Sequence, residues 1–240
     1  MAGNASFSQQ GNVLDITNSA GAIIHWQSFS IDAGETTRFI QQSASSAVLN
    51  RVVGQDPSSI LGSLLSNGRV FLINPNGIVF SRGAVIDVAG LVASTLNISG
   101  DDFLKGNLSF NGSPAGGIVN QGTITTPSGG SVYLIAPDIE NSGVIASPHG
   151  EVILAAGSSI HLADAALPEL QVEVQAPQDQ VINLGSLVAH SGSIGIYAGL
   201  IDQQGRVSAD SAVIGENGKI VFKASRDITL AAGSSTSANG

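Results

Sequence analysis

The sequence predicts an all-β protein folded as a parallel β-helix, on three observations. Apolar residues alternate in short runs that Gly, Asn, Ser and Pro interrupt every few residues, which is the pattern of strands. Gly accounts for 30 of the 240 residues, whereas charged residues make up only 11%. A short pattern recurs at spacings near multiples of about 21 residues, and such a period indicates stacked repeats.

The repeat consists of Gly, a β-branched residue two positions later, a larger apolar residue after two more, and a small residue at its end. Its copies begin at Gly68, Gly130, Gly150, Gly192 and Gly218. A second set of glycines follows the same phase: Gly122, Gly143, Gly185 and Gly205. Parallel stacking of such units would place the coils about 4.8 Å apart and turn alternate side chains into one narrow core.

An antiparallel sandwich with a turn every 8–12 residues is the alternative fold. A sandwich does not require a period of about 21 residues, so the repeat favours the β-helix. Gly and Asn between the strands agree with this choice, because both residues adopt positive φ at tight corners.

The elements differ along the chain. Residues 4–55 lack the repeat, hold four irregular strands and the only Trp, and are expected to cap the first coil, whose open end would otherwise expose unpaired backbone groups. Coils are expected over residues 56–232, with a short helical turn near 58–65 after Asp56 and Pro57.

Three further segments depart from the repeat. Residues near 96–117 and near 163–182 are expected to be irregular excursions. The second of these, around a strand at 172–174, is either a loop excursion or one irregular coil, and the double spacing of the glycines there favours the coil. Residues 233–240 are small and polar and are expected to form a tail.

Composition argues against several functions. The 9 basic and 18 acidic residues give a net charge of −9, which disfavours binding to nucleic acid or to anionic lipid. No apolar run approaches the ~18–20 residues of a membrane helix, so no membrane insertion is expected. Without Cys there is no disulfide, thiolate zinc site or Cys nucleophile. Residues 1–4 lack the features of a signal peptide, so the chain is interpreted as cytosolic or as a mature fragment.

One block departs from the other copies of the repeat. Asn74 stands where most copies end in Ala, and Pro75, Asn76 and Gly77 follow it. Pro75 and Asn76 suit the centre of a type I turn, with Gly next. The block therefore predicts a tight corner with a buried or half-buried Asn74, whose amide must bond to backbone groups to offset its burial.

This block resembles the Asn-Pro-Asn-Gly motif of the two-partner secretion domain, which opens the exoproteins of the filamentous haemagglutinin family. The flanking residues fit in the family's order: Trp26 in an early strand, Asn50 and Arg51 before the motif, and Asp87 after it. Some members carry a second motif, Asn-Pro-Asn-Leu, from which the nearest stretch here, residues 95–98, departs.

The resemblance covers roughly residues 4–230 and implies a right-handed parallel β-helix at the front of a longer passenger. It implies export through the periplasm to the cell surface. The implied partner is a dedicated outer-membrane β-barrel transporter, whose periplasmic POTRA domains recognise the chain while it is unfolded or extended. The domain is then a secretion-recognition and fold-nucleating module, without catalytic activity or cofactor, and a monomer. The absence of Cys is consistent with threading through a pore.

Two roles are open for Asn74 and Asn76. They contact the transporter, or they form the corner from which the β-helix nucleates. The structural role is favoured because Pro75 and Gly77 form turns rather than contacts. Trp26, beside apolar neighbours, is interpreted as part of the cap core.

Two other functions compete with the secretion role. Direct adhesion to glycans or host cells would use exposed patches near residues 96–117 and 163–182. A β-helical polysaccharide-degrading enzyme would need clustered carboxylates. Asp101 and Asp102 are adjacent and would point to opposite faces of a strand, and the four His residues follow no metal-ligand spacing. Asp138 and Glu140 could share a face, but no His or Arg lies near them in the sequence.

Overall fold

The computed structural model describes residues 3–162, 179–211 and 218–240. In chain order its elements are β1 (Ala5–Gln10), β2 (Val13–Asn18), β3 (Ala22–Trp26), β4 (Thr36–Ile40), β5 (Ala47–Val52), β6 (Ser58–Ile60), β7 (Ser63–Ile73), β8 (Ile78–Phe80), β9 (Val85–Ser94), β10 (Asn97–Ile98), α1 (Gly100–Lys105), β11 (Leu108–Asn111), β12 (Ile118–Asn120), β13 (Thr123–Thr125), β14 (Ser131–Ala136), β15 (Asp138–Asn141), β16 (Val144–Ala146), β17 (Glu151–Ala156), β18 (Ser159–Leu162), β19 (Gln180–Asn183), β20 (Ser186–Val188), β21 (Ser193–Gln203), β22 (Arg206–Ser208), β23 (Lys219–Leu230) and β24 (Ser235–Ser237).

Most strands belong to three parallel ladders, which are the three faces of a β-helix. The first ladder contains β3, β5, the later halves of β7 and β9, β14, β17, and the first halves of β21 and β23. The second ladder contains β6, β8, β12, β15, β19, and the later halves of β21 and β23. The third ladder contains β2, β4, the first halves of β7 and β9, β13, β16, β20, β22 and β24. The predicted fold class is confirmed.

The repeat sets the register of the first ladder. Val132, Val152, Ile194 and Ile220 are direct partners across successive strands, and Val70 joins the same column through Leu91 of β9. These side chains point into the interior, where the apolar core consists mainly of Val, Ile, Leu and Ala. Small aliphatic residues suit this position because alternate residues of all three faces meet in one narrow space.

Three glycines of the second set lie where the backbones of consecutive coils approach closely. A Cβ atom built on Gly185 would lie 2.1 Å from the carbonyl oxygen of Gly143, and one on Gly143 would lie 2.2 Å from that of Gly122. Gly205 stands in the same relation to Gly185, also at 2.1 Å. The phase found in the sequence therefore marks positions where no side chain fits between two backbones.

The excursion near 96–117 leaves the β-helix and forms an outer layer. Strands β10, β11 and β18 make an antiparallel sheet, and α1 precedes β11. This layer encloses a second apolar core against the outward side of the first ladder, in which the Phe103 and Phe71 rings meet edge to face at 5.0 Å between centroids. Asp101 and Asp102 lie in α1 rather than in a strand, and Asp102 forms a capping pair with Ser99.

The amino-terminal end differs from the predicted boundary at residue 55. At this end β1 pairs antiparallel with β2, whereas β2 and β3 already pair in parallel with the strands of the next coil. The predicted helical turn near 58–65 is wrong. Residues 58–60 and 63–73 are strands, since Ser58, Ile60 and Leu64 alternate inward with half-exposed residues between them.

The carboxyl-terminal segments also join the ladders. The predicted tail contains β24, which pairs with β22 and so belongs to the last coil. Between the repeat copies at Gly150 and Gly192, Val152 of β17 pairs directly with Ile194 of β21, and β19 continues the second ladder. The double spacing therefore holds a single coil from which β18 departs to the outer layer. The strand predicted at 172–174 lies outside the described residues.

Candidate functional site

The block at residues 74–77 forms the tight turn that joins β7 to β8. The backbone N–H of Gly77 donates to the carbonyl oxygen of Asn74 at 3.2 Å, and the N–H of Asn76 donates to Asn74 Oδ1 at 3.0 Å. Gly77 has a φ of 118°, a conformation that glycine adopts without steric cost. These bonds close a tight turn at residues 74–77.

The side chain of Asn74 is fully buried and fully hydrogen-bonded. Its Nδ2 donates to the carbonyl oxygen of Asp56 and to Ser58 Oγ, both at 3.0 Å. Its Oδ1 accepts from the backbone N–H of Asn76 and, at 3.1 Å, from Asn76 Nδ2. An amide offers two N–H donors and two lone pairs, and all four are used here. No group of Asn74 is left for another molecule in the folded state.

The turn lies between an earlier and a later segment of the chain. On the earlier side, the half-buried Asn76 donates from Nδ2 to the carbonyl oxygen of Gly54 at 2.9 Å. On the later side, the carbonyl oxygen of Pro75 accepts from the N–H groups of Ala115 and Gly116 at 3.0 and 3.2 Å. A Cβ atom on Gly116 would lie 2.4 Å from the carbonyl oxygen of Asn76, so this contact requires glycine. The corner therefore joins three segments of the chain.

The half-buried Trp26 and the buried Asn50 form a hydrogen-bonded pair on the first ladder. Trp26 Nε1 donates to Asn50 Oδ1 at 2.9 Å, and Asn50 Nδ2 donates to the carbonyl oxygen of Phe71 at 3.3 Å. The Trp26 ring meets the edges of Phe7 and Phe29 at 5.8 and 5.3 Å between centroids. Trp26 thus packs β1 against the first coil.

The other two predicted residues lie apart from the corner. The Arg51 guanidinium donates to the carbonyl oxygen of Ile98 and lies 3.5 Å from His25 Nε2, so it ties β5 to the outer layer. Burial lowers the pKa of Arg51 from its usual high value. Asp87 is exposed on β9, where its partners across the third ladder are Leu65 and Thr125.

A column of buried amides escaped prediction from the sequence. At the corner between the second and third ladders, Asn120 Nδ2 donates to Asn141 Oδ1 at 2.8 Å, Asn141 donates likewise to Asn183 at 2.8 Å, and Asn183 donates to Gln203 Oε1 at 2.7 Å. We call these four residues the asparagine ladder. Each of the four stands two positions before a glycine of the second set. The spacing of those glycines could therefore have revealed this column in the sequence.

Across residues 3–162, 179–211 and 218–240, no three His, Asp or Glu side chains lie close enough to hold a metal. Asp138 and Glu140 lie on β15 of the second ladder, and Asp102 serves as a helix cap. None of the helices in the described part of the chain is long and apolar enough to cross a membrane.

A parallel β-helix closed at its front by one antiparallel strand, with a buried Asn-Pro-Asn-Gly corner, defines a β-helical exoprotein domain of the secretion type. The family model of the TPS secretion domain matches residues 2–238, and the chain belongs to this family. Two-partner secretion domains of this type begin haemagglutinin-like exoproteins, and the family is not one of enzymes.

Solved structures agree with this membership. The chain is similar to the HMW1 secretion domain from Haemophilus influenzae, with 39% identity and a TM-score of 0.94 over 99% of this chain and 64% of that one. The filamentous hemagglutinin secretion domain shares the fold, with a TM-score of 0.53 at 17% identity, over 99% of this chain and 98% of that one.

Two curated relatives are heme/hemopexin-binding proteins of Haemophilus influenzae. One, from strain Rd, is 33% identical over 198 residues, which are 78% of this chain and 22% of that protein. The other is 43% identical over 77 residues, 32% of this chain and 8% of that protein. The chain thus spans about a fifth or less of the relatives it matches. Membership of the family implies a dedicated outer-membrane transporter and export across the outer membrane.

Proposed function

We propose that this domain is the recognition signal of a longer exoprotein and the nucleus from which its β-helix folds. Periplasmic POTRA domains of the dedicated transporter bind the chain while it is extended, and the Asn74–Gly77 corner acts later, when the chain folds at the cell surface. The observation that carries this proposal is the complete internal use of the Asn74 side chain, which is 0% exposed.

The pairing of the strands supports recognition before folding. POTRA domains would bind an extended segment by adding it to a sheet edge, a mode that needs free backbone N–H and C=O groups. In the middle coils, strands such as β14 and β17 are paired on both sides, so their backbone groups are already used. The same segments, when unfolded, offer alternating apolar side chains and free backbone groups.

The contacts of the corner support a role in nucleation. Its bonds reach back to Gly54, Asp56 and Ser58 and forward to Ala115 and Gly116. Closing this corner fixes one coil against the next and also ends the excursion that carries α1. A single turn that fixes three segments lowers the entropic cost of every coil added afterwards, because later strands find a template edge.

Binding to the purified POTRA domains of the cognate transporter tests the proposal. The chain is kept unfolded by urea, at a concentration in which the POTRA domains stay folded. We expect this unfolded chain to bind them at least about tenfold more tightly than the native chain does, a difference of roughly 1.4 kcal/mol. Equal or tighter binding of the native chain would overturn recognition of the extended state.

The double variant Asn74→Ala with Asn76→Ala separates the two roles of the motif. If the corner acts in folding, the unfolded variant binds the POTRA domains as the unfolded parent does, while its refolding is slower. Weaker binding of the unfolded variant, with unchanged refolding, would assign these two residues to transporter contact instead.

A further inference from the structure

A groove unrelated to the motif lies on the outward side of the first ladder. Its volume is about 580 Å³, within the range of about 300–1,000 Å³ usual for ligand sites. Six polar residues that line it are Arg69, Ser128, Tyr133, His149, Glu151 and Ser193. Its described lining residues lie mainly on and beside the strands β7, β14, β17 and β21, and none of them falls in either segment expected to carry adhesive patches.

Glu151 is the central acceptor of the groove. Its Oε2 accepts from the hydroxyl of Tyr133 at 2.6 Å, and its Oε1 accepts from Ser193 Oγ at 3.3 Å. Burial raises the pKa of the Tyr133 hydroxyl, and the charge of Glu151 adds to this effect, so Tyr133 stays a donor. A carboxylate can accept about four hydrogen bonds. The half-buried Glu151 therefore keeps about half of its accepting capacity for a ligand.

Arg69 brings donors to the same groove. Its guanidinium carbon lies 5.7 Å from the centre of the Phe71 ring. No salt bridge joins Arg69 to a carboxylate in the part of the chain that the structure describes. A guanidinium that stacks on a ring and meets no carboxylate keeps its fork of N–H groups available.

His149 stands at the edge of the groove in a strained conformation. Its φ is 53°, and the equivalent corner of the preceding coil has Gly129 with a φ of 80°. The His149 side chain is exposed, and its Nδ1 lies 3.2 Å from Ser128 Oγ. Glycine would adopt this conformation without strain. Ser191, at the equivalent corner of the next coil, also has a positive φ, of 54°. His149 therefore brings to the groove an exposed imidazole beside a hydroxyl group.

We propose that this groove binds a neutral saccharide. Sugar hydroxyls both donate and accept hydrogen bonds, which matches a groove lined by a carboxylate, a guanidinium, an imidazole and hydroxyl groups. The pair of opposite charges in the groove disfavours a simple anion or cation. The net charge of −9 disfavours polyanionic glycans. Binding here is independent of secretion, because the native groove exists only after the coils have formed.

Two binding experiments test the proposal. The first screens the chain on an array of neutral glycans. The second titrates each hit, together with maltose, lactose, mannobiose and N-acetyllactosamine, into the ¹⁵N-labelled 240-residue chain. We expect a saturable shift of amides around residues 128–151 with at least one of these sugars. No array signal and no shift with any of them would overturn it. A response confined to a sulfated chondroitin disaccharide, included as the anionic comparator, would also overturn it.

Three variants tie the binding to the groove. Glu151→Gln keeps a hydrogen-bond acceptor for Tyr133. It is expected to lower the affinity for the sugar about tenfold, because a charge-assisted hydrogen bond is lost. His149→Gly is expected to weaken it several-fold without lowering thermal stability, since strain is released. Glu140→Gln, on the second ladder, is the matched control and should bind as the parent does. Equal binding by all three variants would contradict the assignment.

Discussion

Two corners of this β-helix use buried asparagines in opposite ways. At the Asn74–Gly77 corner, one amide makes four hydrogen bonds to residues close by, Asp56, Ser58 and Asn76. No later coil repeats these bonds in the part of the chain that the structure describes. In the asparagine ladder, each amide bonds to its equivalent in the next coil, with donor–acceptor distances of 2.7–2.8 Å. The first corner joins segments that differ in sequence and structure, whereas the ladder joins equivalent positions of successive coils.

This difference separates starting a β-helix from extending it. A ladder whose members all do the same thing can add a coil with the same contacts each time, as expected of a repeat protein. It cannot specify where the first coil begins. The Asn74–Gly77 corner can, because its partners differ from one another and occur once. We therefore expect variants at the two corners to differ in kinetics more than in stability.

The largest effect is expected where the ladder coils stack most closely. Gly185→Ala would place a methyl carbon 2.1 Å from a backbone oxygen of the coil before it, and neither backbone can move without breaking a ladder. We expect a loss of about 4 kcal/mol or more in the free energy of unfolding, measured by urea denaturation. Gly100→Ala, in α1, is the control, since its methyl group would meet only the end of Ile23 at 3.2 Å. Equal losses for both would refute the close-approach argument.

The next effect compares the two corners directly. Asn74→Ala and Asn141→Ala each leave buried donors and acceptors unpaired, and each is expected to lower the free energy of unfolding by about 2–3 kcal/mol. Gln121→Ala, an exposed neighbour of Asn120, is the control and should stay within about 0.5 kcal/mol. A loss below about 1 kcal/mol at either asparagine would mean that water replaces its partners.

A smaller effect is expected at the amino-terminal closure. Trp26→Phe keeps the ring contacts with Phe7 and Phe29 but removes the bond from Nε1 to Asn50 Oδ1. We expect a loss of about 1–2 kcal/mol, because Asn50 is fully buried and its oxygen would lose its partner. Thermal unfolding followed by circular dichroism measures this. An unchanged midpoint of thermal unfolding would show that the bond between Trp26 and Asn50 does not stabilise the closure of the first coil.

The smallest effect concerns the last coil and depends on pH. The carboxylate of Asp210 accepts from the backbone N–H and Nδ2 of Asn239 and from the hydroxyls of Ser237 and Ser208. These bonds, the backbone one above all, lower the pKa of Asp210 to about 2. A lowered pKa stabilises the fold above the ordinary value of about 3.9 and loses that contribution as pH falls through about 2.

We therefore expect β24 and residue 239 to open first on acidification. Amide hydrogen exchange between pH 4 and pH 2 should show protection of Asn239 lost before that of the first ladder. In Asp210→Asn, protection of Asn239 should be reduced already at pH 4 and change little with pH. Protection of the parent that persists unchanged to pH 2 would contradict this.

Much of the fold could be predicted because the β-helix repeats its own chemistry. The column of Val132, Val152 and Ile194 is visible in the sequence as one spacing, and the structure aligns these residues without a register shift. Gly143 and Gly185 mark the same phase for a steric reason. The tight turn with a buried Asn74 was also predictable, since Pro and Gly restrict that turn locally.

What escaped prediction depends on contacts between distant segments. The parallel pairing of β2 and β3 carries no repeat signal, because their partners β4 and β5 are themselves irregular in sequence. The partners of Asn74 lie 16 and 18 residues away, on a segment whose spacing looked helical. The asparagine ladder could have been predicted only by comparing, from coil to coil, the residues that stand two positions before each glycine of the second set. The role of the motif in secretion stays a prediction.

Refolding kinetics of the two corner variants test the central claim most directly. Stopped-flow refolding and unfolding of Asn74→Ala and Asn141→Ala, at equal losses of stability, give the fraction of each loss that appears in the folding rate. If the Asn74–Gly77 corner nucleates the β-helix, Asn74→Ala slows folding, with a fraction above about 0.5, and Asn141→Ala mainly speeds unfolding, with a fraction below about 0.3. The reverse order, with the ladder formed first, would contradict the account.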